Sequence, residues 1–230
     1  MTAEKDNSNR IFLFLDSLRK RGILNTFLVS LSYLFDYLFD IIHGTETHTF
    51  VELDALGVDK SHREHAHMYQ PTFGAPLRRL LKELRIPSEK VFVDLGCGKG
   101  KVLLVASEFG FKEARGVEIS PSLCEIARRN CAIYRSKKKT GTVFSILNSD
   151  ALDYEIRDDE DIFFLFNPFD AYVLEQVVQN ISASLQKHRR KIWIIYRNAV
   201  HRDVIEKTMD RATVTDHTYW GLDFVVFEIE

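Results

Sequence analysis

The sequence predicts an α/β fold: a doubly wound, mostly parallel sheet with a C-terminal antiparallel hairpin strand, preceded by an N-terminal helical extension. Three observations predict it. A glycine-rich turn, "DLGCGKG", stands between a short apolar run and a helix-like segment. Strand-like and helix-like segments then alternate as far as Asp210. Finally, "RATVTDHTYWGLDFVVFEIE" holds two β-rich runs around a Gly-containing break, as a terminal hairpin does.

The elements follow in order. Phe27, Leu31, Leu34, Phe35, Leu38, Phe39 and Ile42 recur at helical spacing, interrupted by Asn25, Asp36 and Asp40. The expectation is a helix docked on the core; an interfacial membrane helix preceded by Arg19 to Arg21, or a homodimer contact, are the alternatives. "VFVDL" is the first strand, and "KVLLVASEFG" the helix after the turn, stopping near Gly110. "EARGVEIS" is a second strand ending at Glu118, after which Pro121 suits a helix start. That helix places Leu123, Ile126, Ala127, Cys131 and Tyr134 near one face. "TVFSIL" is the third strand. "DIFFLF", Asp161 to Phe166, is a continuous apolar run of the kind buried on both faces, so it should be central. "AYVLEQVVQNISASL", "KIWIIYRN" and "VIEKTMD" supply a helix, a strand and a last short helix. The hairpin should contribute one reversed strand at the sheet edge, and a ligand should sit over the carboxyl ends of the strands.

Composition narrows the function classes. The chain has 230 residues, 45% of them hydrophobic, and a formal net charge of −2, which suits one soluble domain with an appendage. The expected division is an extension and lid over 1–68 and a ligand-binding domain over 69–230. A near-neutral charge argues against a nucleic-acid partner held by phosphate neutralisation. Three cysteines, Cys97, Cys124 and Cys131, suggest a reducing compartment, and the N-terminus lacks the pattern of a signal peptide, so a cytoplasmic protein is expected. His62, His65 and His67 lack cysteines or paired acids at suitable spacing, so no metal site is expected. Lys137 to Lys139 and "KHRRK", Lys187 to Lys191, are read as solvated connections.

The glycine turn selects a ligand by its spacing. A phosphate-binding loop needs a hydroxyl residue after Gly-Lys, and neither Gly98-Lys99 nor Gly100-Lys101 has one. A dinucleotide turn wants its third glycine where Lys101 stands, which weakens that alternative without removing it. The pattern present is D-x-G-x-G-x-G, Asp94 through Gly100. An acid at the strand end attracts an ammonium group and repels a pyrophosphate. Glu118, ending the second strand, can accept from both hydroxyls of a ribose.

Asp94 to Gly100 resembles motif I of the class I S-adenosylmethionine (SAM) methyltransferases. The resemblance covers roughly Tyr69 to the C-terminus. "FVDLGCGKGKVLLVAS" and "GVEISP" are also similar to the non-SET histone lysine methyltransferases and to bacterial relatives with "NPF" after strand four. It implies SAM as cofactor, held by Asp94, Gly96, Gly98, Gly100 and Glu118. Asp150 would accept from the adenine amino group, with Asp153 as its nearby competitor. It also implies a lid before the core, to which "YQPTFGAPLRRLL" would supply Tyr69 and Thr72. Asn167-Pro168-Phe169 resembles the [DN]-P-P-[FYW] motif of amino methyltransferases with one proline missing, a departure that counts against nucleobase acceptors. The Asn167 carboxamide oxygen would accept an N–H of the acceptor and aim its lone pair at the methyl carbon. The activity implied is N-methylation of a protein lysine or another amine. Two alternatives stand: a catalytically idle SAM-fold module recruiting a partner through the N-terminal helix, and a nicotinamide-dependent oxidoreductase.

Overall fold

The structure, a computed structural model, describes residues 2–49, 72–166 and 170–230, with side chains from residue 22 onward. Seven strands form one sheet: β1 (Val91–Leu95), β2 (Glu113–Glu118), β3 (Val143–Asn148), β4 (Glu160–Phe166), β5 (Ile192–Arg197), β6 (Thr213–Tyr219) and β7 (Leu222–Ile229). Their order is β3-β2-β1-β4-β5-β7-β6, which puts the apolar run of β4 at the centre, as its composition requires. The β1–β2, β1–β4, β2–β3 and β4–β5 pairs are parallel.

Alternation along the buried strands builds a core on each face of the sheet. Phe92, Ile162, Phe164 and Ile195 point to one layer, while Val93, Phe163, Leu165 and Ile194 point to the other. The first layer is covered by α2 (Gly74–Leu84) and α3 (Lys101–Ser107), through Leu77, Leu80 and Leu103. The second is covered by α5 (Ala171–Lys187) and α6 (Arg202–Thr208), through Val177, Ile181 and Ile205. The N-terminus of α4 (Pro121–Lys138) is set by Ser120, whose hydroxyl accepts from Leu123 N at 3.3 Å, with Pro121 opening the helix. Asp170 caps α5 in the same way, accepting from Val173 N at 2.9 Å.

Some expectations are corrected. One strand is reversed, but it is not the edge: β7 inserts between β5 and β6, antiparallel to both. The reason lies in the side chains. β7 carries Phe224, Val226 and Phe227 into the core, whereas "TVTDHTY" of β6 is mostly exposed and tolerates the edge. Helix α3 stops at Ser107, short of Gly110, because Glu108, Phe109 and Gly110 turn back onto the carbonyls of Val105, Ala106 and Ser107. Lys137 and Lys138 form the last turn of α4 instead of a connection. In "KHRRK", Arg190 is structural: its guanidinium donates to the carbonyls of Glu160, His188 and Arg157 and to the Ser184 hydroxyl.

The N-terminal helix differs most from its expected form. α1 spans Thr2–His43, broken at Gly22, where φ is 77°. Its second half docks beside α2 and α4, but with the opposite face inward. Thr26, Ser32, Asp36, Asp40 and His43 are buried, and of the seven apolar residues at helical spacing only Phe39 is. Asp36 is 4% exposed, while Ile23 and Ile42 are 81% and 66% exposed. The two acids face Lys101, whose Nζ lies 3.3 Å from Asp36 and 3.9 Å from Asp40, and 4.1 Å above the Phe39 ring. Asp40 also accepts from Thr45, Thr47 and His48. Burial alone would raise its pKa, but the Thr45 hydroxyl and the Lys101 charge outweigh it and hold Asp40 down to about 2. A buried cation fixed the helix orientation, and hydrophobic periodicity could not reveal it.

Candidate functional site

The site is assembled where β1 and β2 end side by side, with Asp94 paired to Gly116 and Leu95 to Val117. After Leu95 the chain turns through Gly96, Gly98 and Gly100, with φ of 88°, 51° and 84°. All three lie in the left-handed region, so the alternate glycines are a requirement of the turn itself. Backbone hydrogen bonds from Gly96 N (2.9 Å) and Cys97 N (3.0 Å) to the Val117 carbonyl pin the turn to β2. Cys97 lies over Gly116, where a Cβ would come within 2.5 Å of the Cys97 sulfur. Gly116 is thus part of the turn's seat.

Glu118 closes the arrangement. Its Oε2 accepts from Gly98 N and its Oε1 from Ser120 N, both at 2.9 Å, so the side chain ties the glycine turn to the start of α4. Each oxygen keeps a further lone pair, the capacity a vicinal diol needs. Asp94 is buried beneath. Burial first, and the neighbouring Glu118 second, push its pKa well above the usual carboxylate range. Burial likewise raises Glu118, opposed by the Ser120 and Gly98 amides. Two adjacent buried carboxyls favour a cationic ligand, because an ammonium would return both to their charged forms. The residues present therefore fit SAM, with its ammonium and ribose, better than a pyrophosphate.

This has a consequence for stability. A carboxyl whose pKa is raised on folding contributes stability below its unfolded pKa and loses it as pH rises through the folded value. The ligand-free protein should therefore melt at progressively lower temperature as pH climbs above the ordinary carboxylate range. Asp94→Asn should flatten that decline, read by thermal melting across pH; an unchanged slope would show that Asp94 is already compensated.

The remaining expected residues fall as follows. Asp150 lies two residues past β3, beside the end of β2, where Asn148 donates to the Glu118 and Ile119 carbonyls. Its Oδ1 accepts from Leu152 N at 2.9 Å, so the carboxylate shapes the turn, and Asp153 N bonds the Asp150 carbonyl. Thr72 is buried at the entry to α2. Its neighbour Phe73 lies 5.5 Å from the Arg197 guanidinium, which also stacks 3.7 Å from the Phe166 ring. Arg197 thus joins the base of the expected lid to the end of β4, one residue before Asn167. Tyr69, the proposed catalytic Asn167, Pro168 and Phe169, and the three histidines lie outside the described residues.

Sequence reasoning missed the residues that hold the turn from behind. Lys99, 2% exposed, pairs with Glu46 at 2.8 Å and donates to the Thr49 hydroxyl. Asn130 donates to the Lys99 and Glu46 carbonyls and accepts from Glu46 N. The lysines alternating with the glycines were the available signal: a charge at each of two buried turn positions demands a partner.

Comparison with known proteins finds likenesses in sequence and in fold. Residues 60–154 match the family model described as histone methylation protein DOT1. A protein-lysine N-methyltransferase of Saccharolobus islandicus (strain REY15A) is 38% identical over 53 residues, which is 23% of this chain and 33% of that protein. The match thus spans about a third of the relative's length. Among solved structures, the methyltransferase domain of bacterial CtHen1-C superposes with a TM-score of 0.50 at 17% identity, over 68% of this chain and 96% of that one. Magnesium protoporphyrin IX methyltransferase from Synechocystis PCC 6803, solved with bound SAM, gives a TM-score of 0.48 at 15% identity, over 68% and 78%. The chain has the Rossmann-like fold of the class I SAM-dependent methyltransferases, and its residues 60–154 match the DOT1 family.

Proposed function

We propose that the protein binds SAM and transfers its methyl group to a nitrogen acceptor, a protein lysine or another amine. The observation that carries this reading is the Glu118 bridge between Gly98 and Ser120 above the buried Asp94. Glu118 would hold the ribose, Asp94 the ammonium, and the glycine turn would let the ligand approach the backbone. SAM supplies the electrophilic methyl group. The chain's own task is to orient a neutral nitrogen in a site shielded from water. Asn167, which follows β4 in the sequence, is assigned to accept an N–H of the acceptor and aim its lone pair, with the Phe169 ring as the pocket wall. The DOT1 match and the lysine methyltransferase relative support a lysine acceptor.

Removal of the ribose acceptor gives the binding test. Glu118→Ala deletes hydrogen bonds to a charged group, worth about 1.5–3 kcal/mol each, so SAM affinity should fall on the order of a hundredfold or more. Calorimetric titration of parent and variant measures it. Activity is tested by incubating the protein with a cell extract and SAM labelled on its methyl group. Label entering an amine or a lysine supports the assignment; SAM binding without transfer favours the idle module.

A further inference from the structure

We infer that the outward face of the second half of α1, Gly22–His43, is a membrane-docking surface that lies in the plane of an anionic lipid bilayer. Between Gly22 and His43 the only Asp, Glu, Lys or Arg residues are Asp36 and Asp40, and both are buried against the core with Lys101. What the helix presents outward is Ile23, Leu24, Phe27, Leu34, Ile41 and Ile42, flanked by further aromatic and aliphatic side chains. A helix face meeting water ordinarily carries charges; this one carries none. Ser30, exposed on it, spends its hydroxyl within the helix by donating to the Thr26 carbonyl at 2.9 Å. The face therefore offers a partner few hydrogen bonds, which suits hydrocarbon better than the polar rim of a protein interface.

Length and composition alone would let Gly22–His43 cross a bilayer. The buried acids decide against crossing. Spanning would pull Asp36 and Asp40 away from Lys101 and into hydrocarbon, and would leave Lys101 buried without its partners. An in-plane position keeps the pairs intact and immerses only the outward face. Charge complementarity selects the lipid: Arg19, Lys20 and Arg21 immediately precede Gly22 in the sequence, and a basic cluster beside an apolar helix face favours anionic headgroups. Since Lys101 is also the first residue after the glycine turn, docking would hold the cofactor end of the sheet near the bilayer.

The test uses the full chain, without SAM, so it is independent of the proposed chemistry. The protein is floated with vesicles of equal parts phosphatidylcholine and phosphatidylglycerol, and with phosphatidylcholine alone. The parent should float with the anionic vesicles. The triple variant Leu24→Glu, Leu34→Glu, Ile41→Glu should bind at least about tenfold more weakly, with its melting temperature kept because all three positions are exposed. Replacing Arg19, Lys20 and Arg21 with glutamine should weaken binding to the anionic vesicles on the order of a hundredfold. Absence of flotation by the parent, or equal flotation by the triple variant, would overturn the inference. So would a parent that fails to float and sediments as a dimer which the triple variant dissociates, because the occupant would then be a second copy.

Discussion

Asn167→Ala is expected to slow methyl transfer by about a hundred- to a thousandfold, about 2.7–4 kcal/mol in the barrier, while SAM affinity stays at the parental value. The two effects separate because the proposed cofactor contacts come from the ends of β1 and β2, whereas Asn167 follows β4. An amine attacking a methyl carbon needs its lone pair in line, and loss of the carboxamide leaves that direction to chance. Phe169→Ala should also lower the rate, and the double variant should lose less than the product of the two, since both residues shape one pocket. The measurement is turnover at saturating SAM with a labelled acceptor, alongside calorimetry. A variant at Asn167 that turns over at the parental rate would remove "NPF" from the active site.

Glu160→Ala should lower folding stability by about 3–5 kcal/mol. Glu160 and Arg115 are buried and joined to each other at the amino-terminal side of the sheet. The Tyr154 hydroxyl and Arg157 N donate to the same carboxylate, and Glu113 holds the far side of the guanidinium at 2.9 and 3.0 Å. Removing Glu160 leaves a buried guanidinium short of one anion. Removing both charges should be milder: Arg115→Met with Glu160→Leu ought to recover much of the loss, because a pair of apolar residues avoids desolvation altogether. Urea denaturation of the three proteins decides it. A single variant within about 0.5 kcal/mol of the parent would mean that the network contributes little.

The strands were legible because each is short, apolar and bounded by turn residues. "DIFFLF" announces a strand covered on both faces, and it occupies the sheet centre. The glycine turn was equally legible, since three alternate glycines have few uses other than three positive φ angles. The position of β7 was not: a hairpin can add either of its strands to the sheet, and only the apolar weight of Phe224, Val226 and Phe227 selects the inner place. The orientation of α1 was hidden for a different reason. Periodicity marks which residues share a face but not which face turns inward, and the choice rests on Asp36 and Asp40 meeting Lys101, more than sixty positions away. At the site, Glu118 could be placed at a strand end from the sequence. That it bridges Gly98 to Ser120 depends on side-chain geometry that spacing does not carry.

Direct calorimetric titration of the purified protein with SAM, and separately with NAD, measures which cofactor the glycine turn holds. Saturable binding of SAM and of its demethylated product is expected, with no comparable heat from NAD and with loss of SAM binding in Gly98→Val, whose side chain would stand where the ligand must approach the backbone. Binding of NAD in place of SAM, or SAM binding untouched in a folded Gly98→Val variant, would contradict the assignment of SAM to this turn.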